Sequence, residues 1–328
     1  MKTLTIVVPT YNVEKYLDQC LNSFVIPEIM SDLEVLIIND GSTDSSPQIG
    51  HRYVKQYPET FRLITKANGG HGSTINKGIE VATGKFFKVV DGDDWVLKSG
   101  LVNLIAFLKT SNTDLVLNNY YWVNDLTEKR SREVNEICPG ISYGNEVSFS
   151  SVSKKIFFKM HAITYRTEIL RKIPDKIDEH CYYVDMEYMM FPIPFIQTVA
   201  AISDDVYMYR IGQPTQSVSI ENMKKRCGQH EKVLDHLLHY FNLYKDGKYQ
   251  ACMAAIVARV VTSQYKIYLS FGRDHKKKFV ALENEIRCNY PDIYNAIKNP
   301  AVIILRKSNY CLFGIISKMV NCVHGGNR

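Results

Sequence analysis

Nowhere in this chain of 328 residues do about 18 apolar positions run without interruption; the best stretch, Ala301 to Val323, is broken by Arg306-Lys307 and Lys318. The expectation is a protein that does not cross a membrane. Met1-Lys2 opens on a short apolar run stopped by Pro9, shorter than the roughly 7–15 residues of a secretory signal's apolar region, so it reads as a first strand. Eight cysteines are scattered with no C-x-x-C pair and no Cys/His cluster at zinc spacing. Reduced, mostly buried thiols and a cytoplasmic location are expected. With 18 glycines and 11 prolines, the chain has too little of either for collagen or a disordered polymer. No P-loop is present, and Gly70-His71-Gly72 is followed by Ile75 where a dinucleotide fingerprint needs Gly or Ala. Internal repeats and low-complexity segments are absent too.

What remains is an ordinary globular composition, 45% hydrophobic and 23% charged, long enough for about two domains. Its formal charge of +6 conceals an asymmetry. Residues 1–215 carry 22 basic against 26 acidic side chains, a net −4, whereas residues 216–328 carry 18 against 8, a net +10.

Leu4 to Val8 and Leu33 to Ile38 are apolar runs rich in β-branched residues, ended by Pro9 and by Asn39-Asp40-Gly41, as buried strands are. Between them Val13, Tyr16, Leu17, Cys20, Leu21 and Phe24 recur at helical spacing, with Asn12 placed as N-cap. The alternation continues with helices near 47–56, 73–81 and 99–109 and strands at 61–64 and 86–90. Repeated strand-helix-strand units predict an α/β fold, a mostly parallel, Rossmann-like sheet with helices on both faces. Strands at 115–123 and 206–210 follow, and beyond Pro214 the pattern turns helical, at 233–244, 251–269, 276–288 and 308–323.

Ligands of such sheets sit beyond the carboxyl ends of the strands, and here those ends are unusually polar. They read Pro9-Thr10-Tyr11-Asn12, Asn39-Asp40-Gly41-Ser42-Thr43-Asp44, Lys66-Ala67-Asn68-Gly69-Gly70 and Asp91-Gly92-Asp93-Asp94-Trp95. Three aspartates within four residues repel one another, and a hard divalent cation relieves that repulsion; Mg²⁺ or Mn²⁺ shared with a diphosphate suits Asp91 and Asp93. A second acidic group, Asp185-Met186-Glu187, lies further along.

Taken together, Ile6 through Asn12, Glu34 through Asp44, Asn68-Gly69-Gly70 through Asn76-Lys77-Gly78, and Asp91-Gly92-Asp93-Asp94 resemble the family-two glycosyltransferases of the GT-A fold, of the bacterial surface-polysaccharide and glycoprotein type. Order and spacing match over roughly the first hundred residues. The resemblance implies inverting transfer of a sugar from a nucleotide diphosphate donor, a UDP-hexose, to a hydroxyl of a glycan or glycoconjugate. By the same resemblance Pro9, Thr10 and Tyr11 would line the base pocket and Asp40 would bind the uracil or ribose. Asn68, Gly70 and Asn76 would lie alongside the nucleotide. Asp91, Gly92 and Asp93 would form the D-x-D element, with Asp93 the first choice for metal contact and Asp91 either sharing the ion or holding the ribose.

An inverting transfer needs one carboxylate to accept the acceptor's proton. The family places it in a Glu-Asp pair, which Asp185 matches, although Val184 stands where Glu is common and Glu187 is the alternative. The Q-x-x-R-W element of processive members is missing, so one sugar is expected per encounter. Arg210 reads as a surface salt bridge, with a diphosphate contact the alternative, and Ser217 as part of a closing loop; His161 reads as a hydrogen-bonded core histidine.

The implied domains are 1–215, a GT-A catalytic domain with a nucleotide half to about 110 and an acceptor half beyond, and a basic helical region at 216–328. Lys224-Lys225-Arg226, Lys276-Lys277-Lys278 and Arg306-Lys307 interleave there with apolar stripes. Such faces pack on the catalytic domain, form a homo-oligomer, or lie peripherally on the inner face of the cell membrane. Nucleic acid is not expected, because no recognition motif accompanies the charge. The competing readings are a nucleotidyltransferase acting on a sugar phosphate, which needs no base at Asp185, and a non-catalytic partner subunit of a glycosyltransferase.

Overall fold

The computed structural model describes residues 2–212 and 220–325, with side chains through 321. Two compact units form, Met1–Gln213 and Pro214–Arg328. The expected junction at 215–216, with Ser217, lies outside the described residues.

The first unit is built on one sheet. Its strands are β1 (Leu4–Thr10), β2 (Leu33–Asn39), β3 (Phe61–Thr65), β4 (Phe86–Val89), β5 (Trp95–Val96), β6 (Leu115–Asn124), β7 (Arg130–Ser131), β8 (Glu146–Ser148), β9 (Ile163–Arg166) and β10 (Thr198–Ile211). They run in the order β3-β2-β1-β4-β9-β6-β10-β5, with β7 on β6 and β8 on β10. β3, β2, β1 and β4 are mutually parallel, as the apolar runs predict; β1 and β2 are buried along their whole length. The departures are β9, which enters antiparallel to both β4 and β6, and the short β5, β7 and β8, antiparallel to β10, β6 and β10; together they make the sheet mixed. Nothing local in Ile163–Arg166 announces a pairing with strands tens of residues away.

Helices α1 (Glu14–Asn22), α2 (Ser46–Gln56), α3 (His71–Val81) and α4 (Lys98–Thr110) alternate with the strands; short α5 (Phe149–Val152), α6 (Thr167–Leu170) and α7 (Asp185–Met190) follow. Asn12 does not cap α1. It sits at φ 51°, and its side chain instead accepts from the backbone N–H of Thr43. The first amides of α1 are satisfied from the loop after β2: Val13 N–H donates to Ser46 Oγ and Glu14 N–H to Asp44, while Ser45 N–H donates back to Glu14. The expected cap lost to a reciprocal lock between two loops.

The second unit is helical: α8 (Ile220–Lys225), α9 (Cys227–Leu243), α10 (Gln250–Ser270), α11 (Lys276–Asn289), α12 (Pro291–Ala296), α13 (Pro300–Lys307) and α14 (Phe313–Gly325). α10 is its centre, buried from Val257 through Val261 to Tyr265. The helix expected from 308 begins only at Phe313, because Asn309 and Tyr310 adopt φ of 45° and 60°, outside the right-handed helical region. No helix among the described residues is long and apolar enough to cross a membrane.

Candidate active site

The parallel strands deliver their carboxyl ends to one rim, and two acidic stations stand there. The first is Asp40, just past β2 and 1% exposed. One oxygen accepts from Lys66 Nζ at 2.6 Å and Gly69 N–H at 2.9 Å, the other from Gly70 N–H at 2.7 Å, and Ser73 Oγ approaches at 3.3 Å. The carboxylate that the resemblance assigned to the uracil or ribose is therefore engaged by the chain itself, and it pins the glycine turn that starts α3.

Gly70 has φ 82° and faces the backbone of His180, where a Cβ would come within 3.2 Å of the His180 nitrogen. At Gly72 a Cβ would meet Asp178 O at 2.2 Å, a position no side chain can share. Close approach is needed, but by the 177–180 segment. Asn76 clamps that segment, donating to Ile177 O at 2.9 Å and accepting from Ile177 N–H at 3.1 Å. Asn68 donates to Asp40 O, and Thr10 is buried and bonded to Val8 O, while Tyr11 stands 51% exposed at the rim. A cavity of about 510 Å³ runs along α3 past Lys66, Ser73, Asn76 and Glu187, but neither Asp91, Asp93 nor Asp185 lines it.

The second station follows β4. Asp94 is 1% exposed and accepts from Tyr207 Oη at 2.6 Å and Arg210 N–H at 2.7 Å, while Asp91 N–H donates to the same Tyr207 oxygen at 3.1 Å. Burial, with the charges of Asp93 and Asp91, pushes the Asp94 carboxyl far up. Gly92 packs on Pro9 O, where a Cβ would sit at 2.9 Å. Asp91 Oδ1 lies 2.8 Å from His71 Nε2, the first side chain of α3. Burial works against the Asp91 charge, but the His71 ring more than offsets it and holds this carboxyl below its usual range. The same burial disfavours imidazolium, yet Asp91, then Asp185 and Asp93, raise the His71 pKa. Asp93 is pushed up to about 6 by burial and then by the charge of Asp91. Among the described residues no other side chain bonds its carboxylate.

Asp185 opens α7, just past Tyr183, whose φ of 69° is costly for a bulky residue. Burial raises its pKa, against the pull of Lys159 and His71 and with the push of Asp91. The structure thus brings Asp91, Asp93 and Asp185 within electrostatic reach of one imidazole. Glu187 is placed differently. It is 0% exposed, accepts from Asp178 N–H at 2.7 Å and lines the cavity along α3, which Asp91, Asp93 and Asp185 do not.

Arg210 is not at the surface either. Only 8% exposed, it joins Asp125 at 2.7 Å, Gln19 at 2.7 Å and the Asp93 carbonyl at 2.8 Å, and its guanidinium lies over the rings of Tyr16 and Trp95. It braces the acidic turn from below. His161 packs against Tyr209, Tyr207 and Tyr120 in the core as expected, but the ring is not hydrogen-bonded as expected: its Nδ1 is buried without a partner among the described residues, and burial pushes its pKa down to about 3. Beneath it, fully buried Lys88 donates to Asn118 Oδ1 and to the carbonyls of His161 and Ile163.

Sequence reasoning passed over His71, Lys66 and Tyr207. His71 had one signal, its place in the Gly70-His71-Gly72 turn at the start of a helix; Tyr207 had none, since its partners are more than a hundred residues upstream.

Two hard carboxylates at one turn, one of them pushed up to about 6 by burial and then by the like charge beside it, fit a divalent cation such as Mn²⁺ or Mg²⁺. Among known proteins, the chain is 26% identical to EpsJ of Bacillus subtilis (strain 168), an uncharacterized glycosyltransferase, over 213 residues that make up 63% of this chain and 60% of EpsJ. Its fold superposes on S. aureus TarS 1–349 in complex with UDP-GlcNAc, with a TM-score of 0.60 at 20% identity, covering 99% of this chain and 89% of that one. It also superposes on the mannosyltransferase PcManGT from Pyrobaculum calidifontis, in complex with GDP-Man and Mn²⁺, with a TM-score of 0.54 at 13% identity over 98% and 84% of the two chains. Residues 5–175 match the family described as Glycosyl transferase family 2, and with that match spanning half its length the chain belongs to the family 2 glycosyltransferases.

Proposed function

We propose that this protein catalyses inverting, metal-dependent, non-processive transfer of a hexose from a UDP-sugar to a hydroxyl of a glycan or glycoconjugate. One observation carries the reading: Asp91 and Asp93 from the end of β4 and Asp185 from the start of α7, over ninety residues apart in sequence, meet at one rim around His71. The arrangement supplies the two kinds of group that inversion needs, a diphosphate-facing pair and a lone base. Support for the donor class comes from the neighbours of like fold, whose structures hold UDP-GlcNAc in one case and GDP-Man with Mn²⁺ in the other.

When bound, a divalent ion held by Asp91 and Asp93 would offset the charge on the departing diphosphate. Asp185 does the proton work. Its raised pKa makes it a better base than an exposed aspartate, and it accepts the proton of the acceptor hydroxyl as that oxygen bonds to the anomeric carbon and the bond from that carbon to the diphosphate oxygen breaks. His71, bonded to Asp91 and within reach of Asp185, holds the first carboxylate in place between them. Exposed Tyr11 offers an aromatic face to a nucleobase at the β1 end of the rim.

The test is to incubate the purified chain with a panel of sugar nucleotides, with and without chelator, and follow hydrolysis and the anomeric configuration of the product. Chelator-sensitive release of UDP with inversion is expected. Metal-independent UDP affinity, or retained configuration, overturns the assignment of the acidic pair or of the base.

A further inference from the structure

We propose that α13 and α14 dock the protein peripherally on an anionic lipid surface. Each helix has one face spent on the unit's own core: Val302 and Leu305 of α13 are at most 2% exposed, and Phe313 and Ile316 of α14 at most 7%. The opposite face is apolar as well. Ile304, Leu312, Ile315 and Met319 are 47%, 37%, 60% and 62% exposed, a concentration of large apolar side chains that water penalises. Lys307 and Lys318, both exposed, sit among them, and neither has an ionic partner among the described residues.

Charge decides what covers this face. After Asp292 the sequence holds no acidic residue, but five basic ones. Arg306 is occupied by Glu283 and the ring of Tyr294, which leaves the lysines facing outward. Two copies of such a face brought together would set lysine against lysine. An anionic bilayer instead accepts the apolar side chains at its headgroup boundary and attracts each lysine, so burial and electrostatics act in the same direction. Neither helix is long or apolar enough to cross the bilayer, so both would lie on it.

The experiment is flotation of the full chain with vesicles of phosphatidylcholine alone and of equal parts phosphatidylcholine and phosphatidylglycerol, with sedimentation equilibrium in parallel. Binding to the anionic vesicles only, weakened by salt, is expected. Ile315→Ser with Met319→Ser should lower the partition coefficient by about tenfold or more, and Lys307→Gln with Lys318→Gln by on the order of tenfold. All four positions are exposed, so folding is retained, and Leu126→Ser, at an 86% exposed leucine of the first unit, should change nothing. Equal binding to neutral vesicles overturns the proposal, as does a dimer that the Ile315/Met319 variant dissolves while vesicles go unbound, or no binding by a folded chain.

Discussion

Asp40 and the Asp91–Asp94 turn stand at the ends of parallel strands two places apart in one sheet, and the protein treats them oppositely. Around Asp40 it assembles a lysine, two backbone amides and a hydroxyl. Around Asp94 it places Tyr207 and a backbone amide, and beside Asp91 an imidazole, but the Asp93 carboxylate receives no side chain among the described residues. A fully engaged carboxylate holds architecture together. One left beside a like charge is held ready for something the chain does not itself contain.

Asp185→Asn should produce the largest change, lowering turnover by about 10²–10⁴-fold while UDP affinity, read by calorimetry, stays put. Next comes Asp40→Ala. Removing the acceptor of Lys66 and of two turn amides should cost about 1–3 kcal/mol in urea unfolding, because it leaves the glycine-turn donors without their acceptor. Asp93→Asn should do the reverse, abolishing metal-dependent UDP binding yet stabilising the metal-free protein by up to about 3 kcal/mol above pH 6. If both substitutions destabilise equally, the contrast between the two stations is wrong.

The pH dependence of that gain has a fixed sign. An aspartate raised from 3.8 to about 6 binds a proton more readily folded than unfolded, so its cost is fully present above 6 and fades as pH falls towards 3.8. The Asp93→Asn advantage must fade over the same window, and donor binding by the wild type must weaken as pH drops through 6. Lys88 gives an independent pH test, because burial lowers its pKa from 10.5 to about 7. Between those values the unfolded chain holds the proton and the folded one does not. Wild-type stability should then rise with pH relative to Lys88→Met, by at most about 1.4 kcal/mol per pH unit.

Much of the donor side was legible because its signals are local. Buried apolar runs ending in Pro, Asn, Asp or Gly declare strands and their tips, and β1 to β4 appear where those runs fall. Asp91 and Asp93 were named from residue type and spacing and Asp185 from the family resemblance, and the structure brings all three within electrostatic reach of His71. Hidden were the features made by distant partners. Asn12 looked like a cap because the rule weighs only its own helix, whereas Thr43 competes for its side chain. Arg210 looked like a surface residue because nothing nearby reveals Gln19 and Asp125. Glu187 had the right chemistry, but its bond from the Asp178 amide is made by a preceding loop that the local acidic cluster does not reveal.

The Tyr207 hydroxyl, caught between the Asp91 amide and the Asp94 carboxylate, ties the acidic turn to a strand laid down more than a hundred residues later. A fragment ending near residue 110 would keep every donor-side motif and lose the fastening that shapes its tip. Expressed alone, it should be unable to grip a nucleotide, and during synthesis the emerging chain should acquire that ability only after β10 has joined the sheet.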